Sequence, residues 1–151
     1  MSYLNSPLTT LASLEIRMDT IKSILTSDEL IDPTLPTYTK ESLVWSAQKY
    51  LKPRLVARPG SVESLSRPLA ALNDNDLEFA IRCGGCGPAS ARDVLVSLSA
   101  FDRFEFDRAN ETVTIGAGQV WGEVDQKMEE FAPGYASRSC FVLKHLPTNC
   151  F

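Results

Sequence analysis

Leu11, Leu14, Met18, Ile21 and Leu25 recur at steps of three and four, which predicts an amphipathic helix within residues 8–30, with Thr9 or Thr10 as its N-cap. Packing of that apolar face on the rest of the chain is the simplest reading of such a period. Two prolines, Pro33 and Pro36, then break the pattern, so residues 31–37 read as a linker. Residues 38–50 form a short polar and aromatic segment carrying Trp45, for which a packing role is expected.

Beyond residue 50 the pattern changes to short apolar runs. Strands are predicted at 54–58 and 77–82, separated by a helix over 62–73 capped by Ser61, and these make a β-α-β unit with parallel strands. Pro68 falls inside that helix and is expected to bend it or to sit on its exposed side. Further strands are predicted at 94–98, 103–106 and 112–115, the last two joined by the turn-forming run Asp107, Arg108, Ala109 and Asn110. Helical spacing returns over 121–131 through Val124, Met128 and Phe131, and Pro133 and Gly134 end it. The fold class is therefore α+β: a β-α-β unit followed by a mostly antiparallel sheet with flanking helices.

One junction in this pattern carries chemistry. The apolar run Leu77 to Ile81 enters Arg82, Cys83, Gly84, Gly85, Cys86, Gly87 and Pro88 without an intervening polar stretch. Closely spaced glycines let a backbone turn tightly, adopt positive φ and bring N–H groups up to a large anion, the usual way a loop cradles phosphate. A glycine-rich turn that only turns is the plain alternative.

Four blocks in order extend the signal: Leu55 to Glu63 with its Arg58-Pro59-Gly60-Ser61 turn, the glycine loop, Val94 to Ser99, and Thr112 to Val124 with Gly116, Gly118 and Gly122. Together, from about Trp45 to Tyr135, they resemble the FAD-binding domain, of the type called PCMH, of the vanillyl-alcohol oxidase and berberine-bridge-enzyme-like FAD-linked oxidoreductases. In that family the loop reads Arg-Gly-Gly-Gly-His-Ser, wraps the flavin pyrophosphate and often bonds the flavin ring covalently through its histidine. The resemblance thus implies FAD as cofactor, with Arg82, Cys83, Gly84, Gly85, Cys86 and Gly87 as the residues that bind it. Cys83 stands where the family has glycine, so its β-carbon is expected to hinder close approach or positive φ. Cys86 stands where the family has histidine, so bound FAD is expected to be non-covalent.

The resemblance also implies a division into an N-terminal helix and linker at 1–37, a partial FAD-binding domain at 38–135 and an atypical tail at 136–151. The family's second glycine-rich segment is expected after Tyr135, yet Ser139 to His145 contains no glycine. Full members add a substrate domain, and the base or tyrosine acting on substrate comes from there, so no catalytic residue is expected in this chain. Two functions follow: the N-terminal part of an FAD-dependent oxidoreductase that moves hydride from an organic substrate to flavin and then electrons to oxygen, inactive in this truncated form, or a non-catalytic remnant acting as a binding module. The tail from Arg138 to Phe151 is expected to be removable.

Composition sets the remaining bounds. At 151 residues, with 44% hydrophobic and 23% charged positions, the chain suits one ordinary globular domain. A net charge of −4, with no cluster of Lys or Arg, argues against nucleic-acid binding. No run approaches the roughly 20 apolar residues of a membrane span, and no signal-peptide pattern opens the sequence. A soluble cytoplasmic protein with reduced thiols is expected. Cys83 and Cys86 form a C-x-x-C pair, but zinc needs two further ligands and Cys140, His145 and Cys150 are spaced like no common finger, so no metal is expected. A redox dithiol needs a helix N-terminus to lower a thiol pKa, and here a loop and strand follow. His145 is the single histidine, without a nucleophile-elbow motif, and Glu123 and Asp125 sit where first-turn acids complement a helix dipole.

Overall fold

In the computed structural model the most apolar runs become the centre of a sheet. The structure describes residues 7–85, 87, 89–131 and 133. Leu55–Ala57 (β2) and Val94–Ser97 (β4) are buried along their whole length, as expected of parallel strands covered on both faces. Between them in sequence come the helix Val62–Asp74 (α3) and the strand Phe79–Arg82 (β3). The sheet order is β1-β2-β4-β3, where β1 is Leu30–Ile31. The two strands of the expected β-α-β unit are parallel, but β4 lies between them: Val56 and Ala80 both pair with Leu95.

The first helix, Pro7–Ile24 (α1), is shorter than its periodicity suggests and begins at a proline, so Thr9 and Thr10 lie inside it rather than at its cap. The supposed linker is not wholly a linker. A turn closed by Glu29 and Leu30 N–H bonds to Thr26 O leads into β1, whose Leu30 and Ile31 pair antiparallel with Ala57 and Val56. Met18, Ile21 and Leu25 share one core with Leu55, Ala57, Leu72, Val94 and Val96. Fully burying an aliphatic side chain of this size contributes about 1.5–3 kcal/mol. Residues 7–31 therefore contribute both a helix and a strand to the same core as the sheet.

The opposite face of the sheet is covered by a short helix, Tyr38–Ser42 (α2), with Tyr38 packed against Ile31, Val56 and Leu95. The Tyr38 hydroxyl donates to Pro53 O at 2.6 Å. Burial, reinforced by Tyr50, pushes its pKa up to about 12. Trp45, given a packing role above, remains 49% exposed. Pro68 is also placed differently from expectation: it lies inside α3 but faces the core, fully buried. A reciprocal pair of bonds, Ser64 N to Ser61 Oγ and Ser61 N to Ser64 Oγ, each 3.1 Å, caps α3.

Phe104–Asp107 (β5) and Thr112–Ile115 (β6) form the expected hairpin. Asp107 Oδ1 accepts from the N–H groups of Ala109 and Asn110, and Glu111 takes a positive φ of 51° to close the turn. The helix Trp121–Phe131 (α4) packs on the hairpin through Phe131 against Phe104 and Phe106.

Candidate functional site

Parallel strands β2, β4 and β3 end on one side of the sheet, and each delivers polar residues there: Arg58 after β2, Ser97 and Ser99 at and after β4, and Arg82 with the glycine loop after β3. The carboxyl ends of parallel strands are the ordinary place for a ligand in an open α/β sheet.

Arg82, Cys83, Gly84, Gly85 and Gly87 line a cleft of about 550 Å³ together with Ile81, Ala89, Ile115 to Ala117, Gln119, Trp121 and Val124. That volume lies within the range of small-molecule sites, roughly 300–1,000 Å³. The structure thus brings five of the six expected cofactor residues to one wall, while Cys86 lies outside the described residues. The facing wall, mostly apolar, comes from β6, the segment after it and α4.

Among the described residues a single glycine uses left-handed backbone. Gly85 has φ of 82°, and a β-carbon there would meet the Arg82 guanidinium at 2.6 Å. At Gly84 a β-carbon would sit 3.1 Å from Gln119 O, whereas Gly87 faces open space. Cys83 is exposed and is not among the residues with positive φ, so the loop accepts its side chain without the backbone conflict expected above. The loop therefore packs closely on the protein at Gly84 and Gly85, against Gln119, Val120 and Arg82, and opens at Gly87. A glycine loop at the end of a strand, lining a cleft, is the kind of backbone that can approach a phosphate.

Arg82 is engaged with protein. Its Nε donates to Leu43 O at 3.0 Å and its guanidinium reaches Lys40 O at 3.5 Å, so it ties the start of the glycine loop to the C-terminal end of α2. Across the cleft, Gly116 and Gly118 press their backbone against the segment after β4. Gly116 N–H bonds Arg103 O at 2.7 Å and Gly118 N–H bonds Phe101 O at 2.9 Å, and built β-carbons would fall 2.0 Å from Phe101 O and 2.1 Å from Leu98 O.

A second cleft of about 290 Å³ continues behind the loop, lined by Lys40, Glu41, Arg58, Arg82, Cys83, Gly84, Ser99 and Gln119 among others. At its base lies Glu41, only 6% exposed. Glu41 Oε2 accepts from Ser97 Oγ at 2.6 Å and Ser99 Oγ at 2.7 Å, while Oε1 is 3.7 Å from Arg58 Nε. Arg58 Nε also donates to Ser99 Oγ at 2.8 Å. Burial acts to raise the Glu41 carboxyl pKa, but the two serine hydroxyls and the charges of Arg58 and Arg82 outweigh it, and the net shift is downward. The sequence reading does not reach Glu41, because its partners lie 17, 56 and 58 positions away (58 − 41, 97 − 41 and 99 − 41).

With the strand ends, glycine loop and facing wall established, the match to known proteins is specific. Residues 53–140 match the model of the FAD binding domain. The chain belongs to that family. FAD is accordingly its cofactor. Among curated relatives, the FAD-dependent monooxygenase macF of Penicillium terrestre is 28% identical over 120 residues, covering 74% of this chain and 23% of the relative. The chain thus spans about a quarter of that relative's length. The fold is shared with 6-hydroxy-D-nicotine oxidase from Arthrobacter nicotinovorans, at a TM-score of 0.63 and 22% identity over 72% of this chain and 25% of that one. It is shared also with the berberine-bridge-enzyme-like protein 1 of Physcomitrella patens, at 0.62 and 18% over 74% and 26%. The α+β class and the PCMH-type FAD-binding fold expected from the sequence are those of these neighbours.

Among the described residues no helix is long and apolar enough to cross a membrane. Tyr135, Cys140, His145, Cys150 and the tail from Arg138 to Phe151 lie outside the described residues.

Proposed function

We propose that this FAD binding domain forms part of an FAD-dependent oxidoreductase and holds the cofactor non-covalently, with the pyrophosphate over Cys83 to Gly87. When bound, FAD supplies the redox chemistry, accepting hydride from an organic substrate and returning electrons to oxygen. The chain's own residues bind and orient. Oriented N–H groups around Gly84 and Gly85 offset the pyrophosphate charge without a lysine. The apolar residues Ile81, Ile115, Ala117, Trp121 and Val124 along the cleft offer a planar ring system a surface to pack on. The observation that carries this reading is the glycine loop at the carboxyl end of β3, too close-packed at Gly84 and Gly85 for side chains.

A second reading, a binding module without turnover, is favoured by Cys86 in place of the family's histidine and by the absence of glycine from Ser139 to His145. Both readings share the cofactor step. Titration of the purified chain with FAD, followed by flavin fluorescence, should give a Kd in the micromolar range or weaker. Acid precipitation should then leave a colourless pellet. A yellow pellet would overturn non-covalent attachment, and submicromolar affinity would overturn the weak site.

A further inference from the structure

Glu41 is a buried carboxylate at the base of the cleft, and the cofactor reading gives it no task. It also sits at the crossing of two chains of contacts. The first runs from the end of β4 through Ser97 and Ser99 to Glu41 on α2, with Arg58 closing the group from β2. The second runs from the same helix through Leu43 O and Lys40 O to Arg82, whose guanidinium lies directly beneath Gly85. We infer that Glu41 is a positioning residue: it fixes α2 on the end of β4, and α2 in turn holds Arg82 and the glycine loop at the spacing that admits the cofactor.

Three features support this. A 5-residue helix has little stability of its own, so α2 stays in place through tertiary contacts. A buried carboxylate has few inexpensive alternatives to its partners, so the Glu41 group accepts one arrangement and resists others. Arg82 in turn packs against Gly85, whose φ is positive, so displacement of α2 reaches Gly85 through a single side chain. Glu41 touches no reacting group and acts only through Arg82 and the loop. The inference rests on the cofactor reading, and its test separates the two.

Hydrogen exchange of the purified chain without FAD reports the loop directly. In Glu41→Gln, which keeps the volume and removes the charge, amides of Cys83 to Gly87 should exchange several-fold faster, while those of Val56 and Leu95 in the sheet keep their wild-type rates. Ser99→Ala, which breaks the Arg58–Ser99–Glu41 relay and leaves α2 intact, should do the same to a smaller degree. It serves as the second variant should Glu41→Gln fold poorly. Unchanged loop exchange overturns the inference, and so does acceleration that is uniform across the sheet, because either result leaves Glu41 a general stabiliser at most. In parallel, FAD titration of Glu41→Gln should show at least fivefold weaker binding. A loosened loop with unchanged FAD affinity also overturns the positioning role. A wild-type chain that binds no FAD at all overturns the cofactor reading instead, and the exchange measurement still decides whether Glu41 holds the loop.

Discussion

Gly85 bears two demands that no other residue type meets. A φ of 82° costs a side-chain-bearing residue about 1–2 kcal/mol, and the Arg82 guanidinium fills the space a β-carbon would take. Gly85→Ala should therefore lower the unfolding free energy by about 1–2 kcal/mol in urea titration. FAD binding should weaken beyond that, since Arg82 must move from its carbonyl partners. Glycine identity and spacing announce such a loop in the sequence, but not that Arg82 folds back against Gly85. Glu41 lies at the other extreme of legibility, a single acid in a polar segment whose meaning comes from residues brought to it by the sheet. It also makes a pH prediction. Its folded pKa is lowered from an ordinary 4.5, so the stability it contributes is present above about pH 4.5 and is lost as pH falls through the lower folded value. The stability gap between wild type and Glu41→Gln should be widest near neutral pH and close in acid, by urea unfolding at each pH.

At the scale of elements, β2 and β4 were the most legible, because strands buried on both faces must be apolar throughout. The hairpin was legible through its turn chemistry and α4 through its period. Strand order was not. Nothing local to Val94–Ser97 says that it enters between β2 and β3, since the order is set by pairing with residues distant in sequence. Leu30–Ile31 is not legible because two residues show no period, and the strand exists only by pairing with Val56 and Ala57. The helix preceding it is legible as amphipathic, yet its membership of the core is a tertiary fact. Ile21 is fully buried among Leu55, Leu72 and Val96, so Ile21→Ala should cost about 2–5 kcal/mol of unfolding free energy, the range for large-to-small changes in a core. A cost below about 0.5 kcal/mol, the size of an ordinary surface change, would show that α1 is an appendage.

For the whole molecule, the decisive quantity is how much of a flavin these residues can enclose. The glycine loop and the facing wall form two sides of one cleft, and two of its large apolar residues stay exposed: Ile81 is 42% and Trp121 47% exposed. Turnover by a flavin enzyme requires water to be excluded and substrate held against the ring, and a site usually covers most of its ligand to achieve both. On the proposed reading, what the described residues present would grip the pyrophosphate and support one face of a ring without enclosing it. We therefore expect no hydrogen peroxide from the 151-residue chain with excess FAD and oxygen across a panel of alcohols, sugars and alkaloid-like amines. FAD binding under the same conditions should be measurable. Restoring the family's loop with Cys83→Gly and Cys86→His should tighten FAD without producing turnover, because on the proposed reading the loop supplies affinity and not enclosure. Peroxide formation that disappears on deleting residues 82–88 would show that this cleft suffices for catalysis, and would replace the binding module with a working oxidase.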